Sequence, residues 1–511
     1  MNKKLLSLAA TILLGLGTAF ATDYDLYVAG VQVTSSNANS ILSGISVHFE
    51  EATHTLVFHG SPTAINANLN SVYGVRAEAS LGYLNIVVIG TYPTKIVGGQ
   101  NGAALYLNCN TTISGYQTLN AYAASTTSGC DGIYVENGNL TITDGVTVKA
   151  SGKGGNYGAI CGDYDNNVLT VNNANLITYA PTGSHGAIYA FGSVVFNGVT
   201  LNPSGATYNT SAQELRVGSN AVCDTFKATL NGGYGLWVAG KYVMSSGSLT
   251  GTGISGNVSY NPSSSTLTLD NATINSPSMH GIYAKNALKI NVTGQNTVKC
   301  TMKTGTALYY TTGNNTLSGS GRIYLEGPDA LDGGTGDLTI SGCSVTAISP
   351  VGGNFGAVCG GRSLTIDNAN LKAYGPNQSP IFWWNNVTLT SCAIVKPAGG
   401  SYNASQQAIY YNGSEYEDTL IISNGNPQSI TTANSESFAL YPNPATNNVR
   451  IASDATIEQV EVINVAGVVV MKEYVNNNSA MLNVEKLNNG IYAVRVRTNK
   501  GTSIQRMVVS R

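Results

Sequence analysis

Apolar and polar residues alternate in short runs along most of this chain. In Leu140-Thr141-Ile142-Thr143, Leu169-Thr170-Val171-Asn172, Leu267-Thr268-Leu269-Asp270 and Leu364-Thr365-Ile366-Asp367, the first and third residues share one side of an extended strand and the second points the other way. Asp-Gly or Asn-Ala follows each run. These pairs tolerate the backbone angles of a tight corner, and a second short apolar-polar run comes after them. The unit is strand, corner, strand. Neighbouring units lie roughly 23 to 29 residues apart, the coil length of a β-solenoid.

The units belong to two related halves. Leu26-Tyr27-Val28-Ala29-Gly30 is answered by Leu236-Trp237-Val238-Ala239-Gly240, and Gly102-Ala103-Ala104-Leu105-Tyr106 by Gly305-Thr306-Ala307-Leu308-Tyr309. Gly155-Asn156-Tyr157-Gly158-Ala159-Ile160-Cys161-Gly162 is answered by Gly353-Asn354-Phe355-Gly356-Ala357-Val358-Cys359-Gly360. Order is kept throughout, as in a tandem duplication. The expected class is all-β: a right-handed parallel β-helix built from two tandem related halves, residues 22–235 and 236–424, whose stacked coils bury one continuous apolar column. A pair of β-sandwiches is the competing architecture, because antiparallel strands with similar turn spacing read much alike.

Composition agrees with many short strands. Only 10% of the 511 residues are charged while 42% are hydrophobic, and Gly alone contributes 59. The chain opens Met1-Asn2-Lys3-Lys4, continues with an apolar stretch from Leu5 to about Gly17 and reaches Ala19-Phe20-Ala21. That is the three-part pattern of a secretory signal spanning residues 1–21, and it is shorter than a membrane span. Its removal takes Lys3 and Lys4 but no acid, so a net charge of −2 becomes about −4. With no stripe of Lys and Arg, nucleic acid is not an expected partner. The eight cysteines contain no Cys-x-x-Cys pair, which argues against zinc, and buried free thiols or one or two local bridges are expected.

After Asn424 the pattern changes. Residues 425–437 are polar and turn-rich and read as a linker. Beyond them come Phe438-Ala439-Leu440-Tyr441-Pro442-Asn443-Pro444-Ala445-Thr446, the run Val460 to Gly467, Leu487-Asn488-Asn489-Gly490-Ile491-Tyr492 and a last strand around Met507-Val508-Val509. Alternation with Gly and Asn turns predicts a small antiparallel β-sandwich over 438–511. These motifs, in this order, resemble the type A C-terminal sorting domain of type IX secretion substrates, with Tyr441, Pro442, Asn443, Pro444, Gly467, Leu487, Gly490, Ile491 and Tyr492 at the motif positions. The resemblance implies export across the outer membrane of a Gram-negative bacterium, by way of the periplasm, to the cell surface. It also implies contact with the type IX machinery and its sortase, cleavage within the linker, and attachment of the cargo to lipopolysaccharide.

The upstream region is similar, through its Leu-Thr-Ile and Asn-Ala units, to carbohydrate-binding parallel β-helix modules of secreted bacterial proteins. Exposed rings flanked by Asn stack on sugars while amides bond the hydroxyls. The candidates are Tyr157, Tyr164, Phe355, Trp383 and Trp384, with adjacent Trp383 and Trp384 pointing to opposite sides of a strand. Polysaccharide or a host-surface glycan is the expected ligand, and adhesion the expected role. A catalytic reading would need paired acids. Asp163 with Asp165 and Asp329 with Asp332 are near in sequence, yet neither pair recurs in the other half, so turn carboxylates are the expectation. His48, His54 and His59 lie close together near the start without a metalloprotease spacing. No catalytic residue, metal ligand or cofactor is assigned. A structural surface protein without a ligand and a polysaccharide lyase or hydrolase are the alternatives.

Overall fold

The computed structural model describes residues 21–67, 73–99, 102–124, 130–153, 157–181, 185–277, 279–350, 356–376, 378–424, 438–464 and 469–510, without the side chains of Tyr164, Asp165, Gly501, Thr502 and Ile504. The expected signal segment and linker lie outside these residues. The described chain is almost entirely β-strand, with two single-turn 3-10 helices and no α-helix. The described residues up to 424 and those from 438 onward form separate compact units.

The first unit is a β-solenoid of about 12 turns. Each coil lays a strand on three faces, and each strand pairs in parallel with its counterpart one coil on. On the first face of the first half, Leu84 pairs with Thr111, Thr111 with Leu140 and Leu140 with Leu169. In the second half Leu267 pairs with Ile290, Leu338 with Leu364 and Leu364 with Val387. Alternation turns Leu140, Ile142, Leu169, Val171, Leu364 and Ile366 inward, where each is fully buried. The corners behave as the sequence predicts. Asp144, Asn173, Asn271 and Asn368 all take left-handed backbone angles, with φ of 56°, 49°, 49° and 45°; Asn and Asp visit this region more readily than other side-chain-bearing residues.

Asparagines tie coil to coil. Asn315, buried, accepts the Leu288 N–H through Oδ1 at 3.0 Å and donates through Nδ2 to carbonyls at Thr312, Gly313 and Asp337. Asn296 does the same at another corner, accepting from Ala272 at 2.9 Å and donating to the Thr293 and Arg322 carbonyls. At these corners the backbone leaves the ladder, and the amide supplies the bonds that the strands no longer make. None of the eight cysteines is joined in a disulfide.

The two halves do not share a column. Each has its own hydrophobic core, running from Tyr24 to Ala228 and from Leu236 to Ile422. Each is also closed at both ends by antiparallel pairing. Asp23–Val28 and Asp224–Leu230 cap the first half, and Leu236–Val238 and Leu420–Asn424 cap the second. An uncapped coil would expose a row of unpaired N–H and C=O groups above bare apolar side chains, so the expectation of one continuous column gives way to two capped prisms.

The prisms meet along a lateral seam. Val57, Val87 and Ile89 of the first half pack with Trp237, Met279, Tyr283 and Met302 of the second. The Tyr116 and Tyr283 rings stack with centroids 3.8 Å apart. Trp237 Nε1 donates to the Asp144 carbonyl at 2.7 Å, and Lys241 pairs with the Asp144 carboxylate at 3.1 Å. Two histidines are drawn into this seam: His59 Nε2 lies 2.7 Å from Thr304 Oγ1, and buried His280 bridges the Tyr116 hydroxyl and the Thr306 N–H at 3.1 and 2.9 Å. Burial, with nearby His48 adding to it, lowers the pKa of His59 to about 4. Burial likewise lowers His280 to about 3.

The second unit is a five-stranded antiparallel sheet. Its long hairpin, Asn448–Ile463 and Val469–Asn483, loses register between Ala452 and Ile457. On its other edge Asn448–Ile463 pairs with Ala439–Tyr441 near its start and with Gly490–Thr498 near its end. The folded sheet encloses Phe438, Val449, Ile451, Val462, Val494, Val496 and Met507.

Two outcomes test this account. Asn315→Ala should lower stability by at least about 2 kcal/mol in urea or thermal melts, because each abandoned buried group costs about 1–3 kcal/mol; exposed Asn110→Ala should cost less than about 1 kcal/mol. His59 takes its proton near pH 6.5 in the unfolded chain and near 4 in the fold, so the stability owed to neutral His59 is present above 6.5 and lost as pH falls toward 4. Wild type should therefore lose about 2 kcal/mol relative to His59→Gln across that window, and parallel pH–stability curves for the two would contradict the seam assignment.

Candidate functional site

The third face carries one outward column of side chains in each half, held in register by the parallel ladder. In the first half it runs Tyr27, Arg76, Tyr106, Tyr134, Cys161, Tyr189. In the second it runs Trp237, Tyr283, Tyr309, Asp332, Cys359, Phe382. Neighbouring positions are about 4.8 Å apart, the spacing of adjacent strands. The columns share an origin but not an environment. In the second half Trp237 and Tyr283 are buried in the seam. In the first half Tyr27, Tyr106 and Tyr134 are half-buried and Arg76 is exposed.

Rings and charges cluster on that open column. Tyr73 stacks on Tyr106 at 4.5 Å, Tyr106 lies 5.9 Å from Tyr134, and the Arg76 guanidinium sits over both Tyr27 and Tyr106. Arg76 is also paired with Glu78. Glu136 and Asp163 follow the column on neighbouring coils. Burial, reinforced by the negative charges of Asp163 and Glu78, raises the Glu136 pKa, and its Oε2 is buried without a hydrogen-bond partner. Sequence reasoning did not join these residues into one site, because they come together only when coils stack. The signal was there in the recurrence of Tyr at corresponding coil positions.

Neither acid pair recurs in the other half, but one of their members, Asp329, has a counterpart there. Asp131 and Asp329 are related by the same offset as Cys161 and Cys359, and each stands two residues before a third-face strand residue, Ile133 and Leu331. Burial raises the pKa of each to about 7. Asp131 accepts from the Gly158 N–H and the Tyr189 hydroxyl, each at 3.0 Å. In the second half Phe382 replaces Tyr189 and offers no hydroxyl, and Asp329 Oδ1 is buried without a partner. Asp332 takes the place of Tyr134, and burial raises its pKa to about 6.

The ring residues singled out in the sequence are scattered. Tyr157 is 40% exposed, Trp383 is 48% exposed and stacks on Phe382 at 5.0 Å. Trp384 is a correction: it has no exposed surface and its indole N–H donates to the Val358 carbonyl at 3.3 Å, so it fills the core and offers no platform for a sugar. Tyr164 lies in the strand Ile160–Asn172, its side chain outside the description, and Phe355 lies outside the described residues. Among the described residues, no three His, Cys, Asp or Glu are grouped to hold a metal ion.

In the second unit the Tyr441-Pro442-Asn443-Pro444 motif is fastened to the last strand. Asn443 Oδ1 accepts the Val508 N–H and its Nδ2 donates to the Arg506 carbonyl, both at 2.8 Å. Ala445 and Val508 add a backbone bond at 2.7 Å. The Tyr492 hydroxyl donates to the Asn488 carbonyl at 2.9 Å, while Leu487 packs against the core and Ile491 is exposed. Gly490 begins the strand Gly490–Thr498, and Gly467 lies outside the described residues.

Residues 439–510 match a family described as a secretion system C-terminal sorting domain. The chain thus carries the sorting tail of a type IX secretion substrate, joined to a β-solenoid, and its fate is export to the cell surface or the medium. A comparison with curated proteins finds no match. Among solved structures, PorZ, a bacterial surface component of the type-IX secretion system of Porphyromonas gingivalis, is similar over 18% of this chain and 14% of its own, at 21% identity and a TM-score of 0.14.

Trp384→Ala should cost about 3–5 kcal/mol in thermal or denaturant melts, and Trp383→Ala should stay within about 0.5 kcal/mol of wild type. Equal losses would remove the distinction between the two indoles.

Proposed function

We propose that the exported solenoid is a non-catalytic glycan-binding adhesin, and that the open third face of its first half is the contact surface. The observation that supports this most directly is the half-exposed column of Tyr27, Arg76, Tyr106 and Tyr134. Its half-exposed rings offer apolar surface to sugar rings, and Glu78, Glu136 and Asp163 alongside offer acceptors to sugar hydroxyls. Tyr157 and Trp383 are outlying contacts in this reading. Removal of residues 1–21 on entry to the periplasm, cleavage within 425–437 by the sortase and transfer of the cargo to lipopolysaccharide complete the pathway that the sorting tail implies.

A second reading, cleavage of a polysaccharide, is favoured by one observation: Glu136 and Asp163 lie on neighbouring coils, and burial together with the Asp163 charge raises the Glu136 pKa, the direction a general acid needs.

On a glycan array the Tyr106→Ala, Tyr134→Ala double variant should lose at least tenfold of the wild-type signal, and Trp383→Ala less. Unchanged binding in the double variant would move the contact surface elsewhere. New reducing ends from an array-positive polysaccharide, abolished by Glu136→Gln, would replace the adhesin reading with the hydrolytic one. Deletion of 439–511 should strand the protein in the periplasm.

A further inference from the structure

The entrance to the second half holds a cavity of about 560 Å³ bordered by Tyr234, Tyr242, Tyr260, Ser265, Lys285 and Asn286. The first half shows why it is there. The pairing of Leu26 with Ala77 and of Leu236 with Ala284 sets Asp25 against Gly235, Asp23 against Gly233 and Glu78 against Lys285 in equivalent places. The backbone agrees: Glu78 N–H bonds the Asp25 carbonyl at 2.9 Å and Lys285 N–H the Gly235 carbonyl at 2.8 Å. In the first half Asp25 also takes the Ser80 hydroxyl, which ties down the turn over the entrance.

In the second half both aspartates are glycines and the glutamate is a lysine. Three negative charges have become one positive charge. The glycines are required as well as small. Gly233 and Gly235 have φ of 82° and 65°, and a Cβ on Gly233 would lie 2.3 Å from the Tyr242 ring. Tyr242 itself stands where the first half has Gln32, and its hydroxyl accepts the Gly235 N–H at 3.3 Å. Tyr234 and Tyr260 lie with ring centroids 5.1 Å apart on the wall. Lys285 and Asn286 are exposed at the rim.

We infer that this cavity is a binding site for a sugar ring bearing an anionic group, a carboxylate or a sulfate. Its volume suits one or two sugar rings within the usual range for small-ligand sites, about 300–1,000 Å³. The tyrosines supply the stacking surface. The Lys285 ammonium meets the anion in a charge-assisted hydrogen bond, and the Asn286 amide and the Ser265 hydroxyl serve ring hydroxyls. The site is separate from the open third face of the first half and does not depend on it.

Saturation-transfer NMR on the full-length protein with methyl glucuronide, glucose 6-sulfate and methyl glucoside tests the assignment. At least one anionic sugar should bind saturably and at least tenfold more tightly than the neutral glucoside, and the preferred one identifies the anion. Lys285→Glu should weaken that binding at least tenfold with an unchanged melting temperature, and Lys285→Arg should retain most of it. No saturable binding of either anionic sugar, equal binding of the neutral one, or unchanged binding by Lys285→Glu would overturn the inference. The Tyr106→Ala, Tyr134→Ala variant should bind as wild type here, so loss of the open-face reading and loss of this one give different results.

Discussion

The architecture rests on parallel hydrogen bonding between successive coils. Each coil satisfies its backbone only through the coil above and below, so a stack of coils is stable in its middle and deficient at its ends. In this chain both halves solve the problem separately, by turning antiparallel strands across the first and last coils. The closed ends leave side-by-side packing as the way for the duplicated halves to join, and the seam of Tyr116, Trp237, Tyr283 and His280 follows from that.

Much of this was legible in the residues. Alternation gave the inward and outward positions of Leu140 and Thr141, and the Asp-Gly and Asn-Ala pairs gave the left-handed corners at Asp144, Asn173, Asn271 and Asn368. The sorting tail was legible because its motifs are contiguous, and the bonds from Asn443 to the last strand explain why the motif and that strand occur together. The single apolar column was not a correct reading. Periodicity reports which side of a strand is buried and is silent on where a stack stops, and the capping strands Asp23–Val28 and Leu236–Val238 look in sequence like any other coil strand.

The candidate site was less legible, for a physical reason. Tyr106, Tyr134, Glu136 and Asp163 are neighbours through coil stacking, and each appears alone in its own repeat. Adjacent Trp383 and Trp384 drew attention because they are adjacent, yet alternation commits one of them to the core. The equivalence of Asp131 and Asp329 could have been read from the offset between the halves, but a search for carboxylates close in sequence directs attention to pairs within a half. The histidines His59 and His280, far apart in the chain, owe their lowered basicity chiefly to burial, which the sequence does not show.

The seam also decides how often the aromatic column reaches solvent. Duplication normally doubles a contact surface, but the second copy of the aromatic column is spent as mortar between the prisms, with Trp237 and Tyr283 sealed from solvent. Among the described residues, the start of the column is therefore open in the first half alone. Strong hold on a repetitive polymer would have to come from many copies crowded on a common support, where each attachment raises the effective concentration for the next.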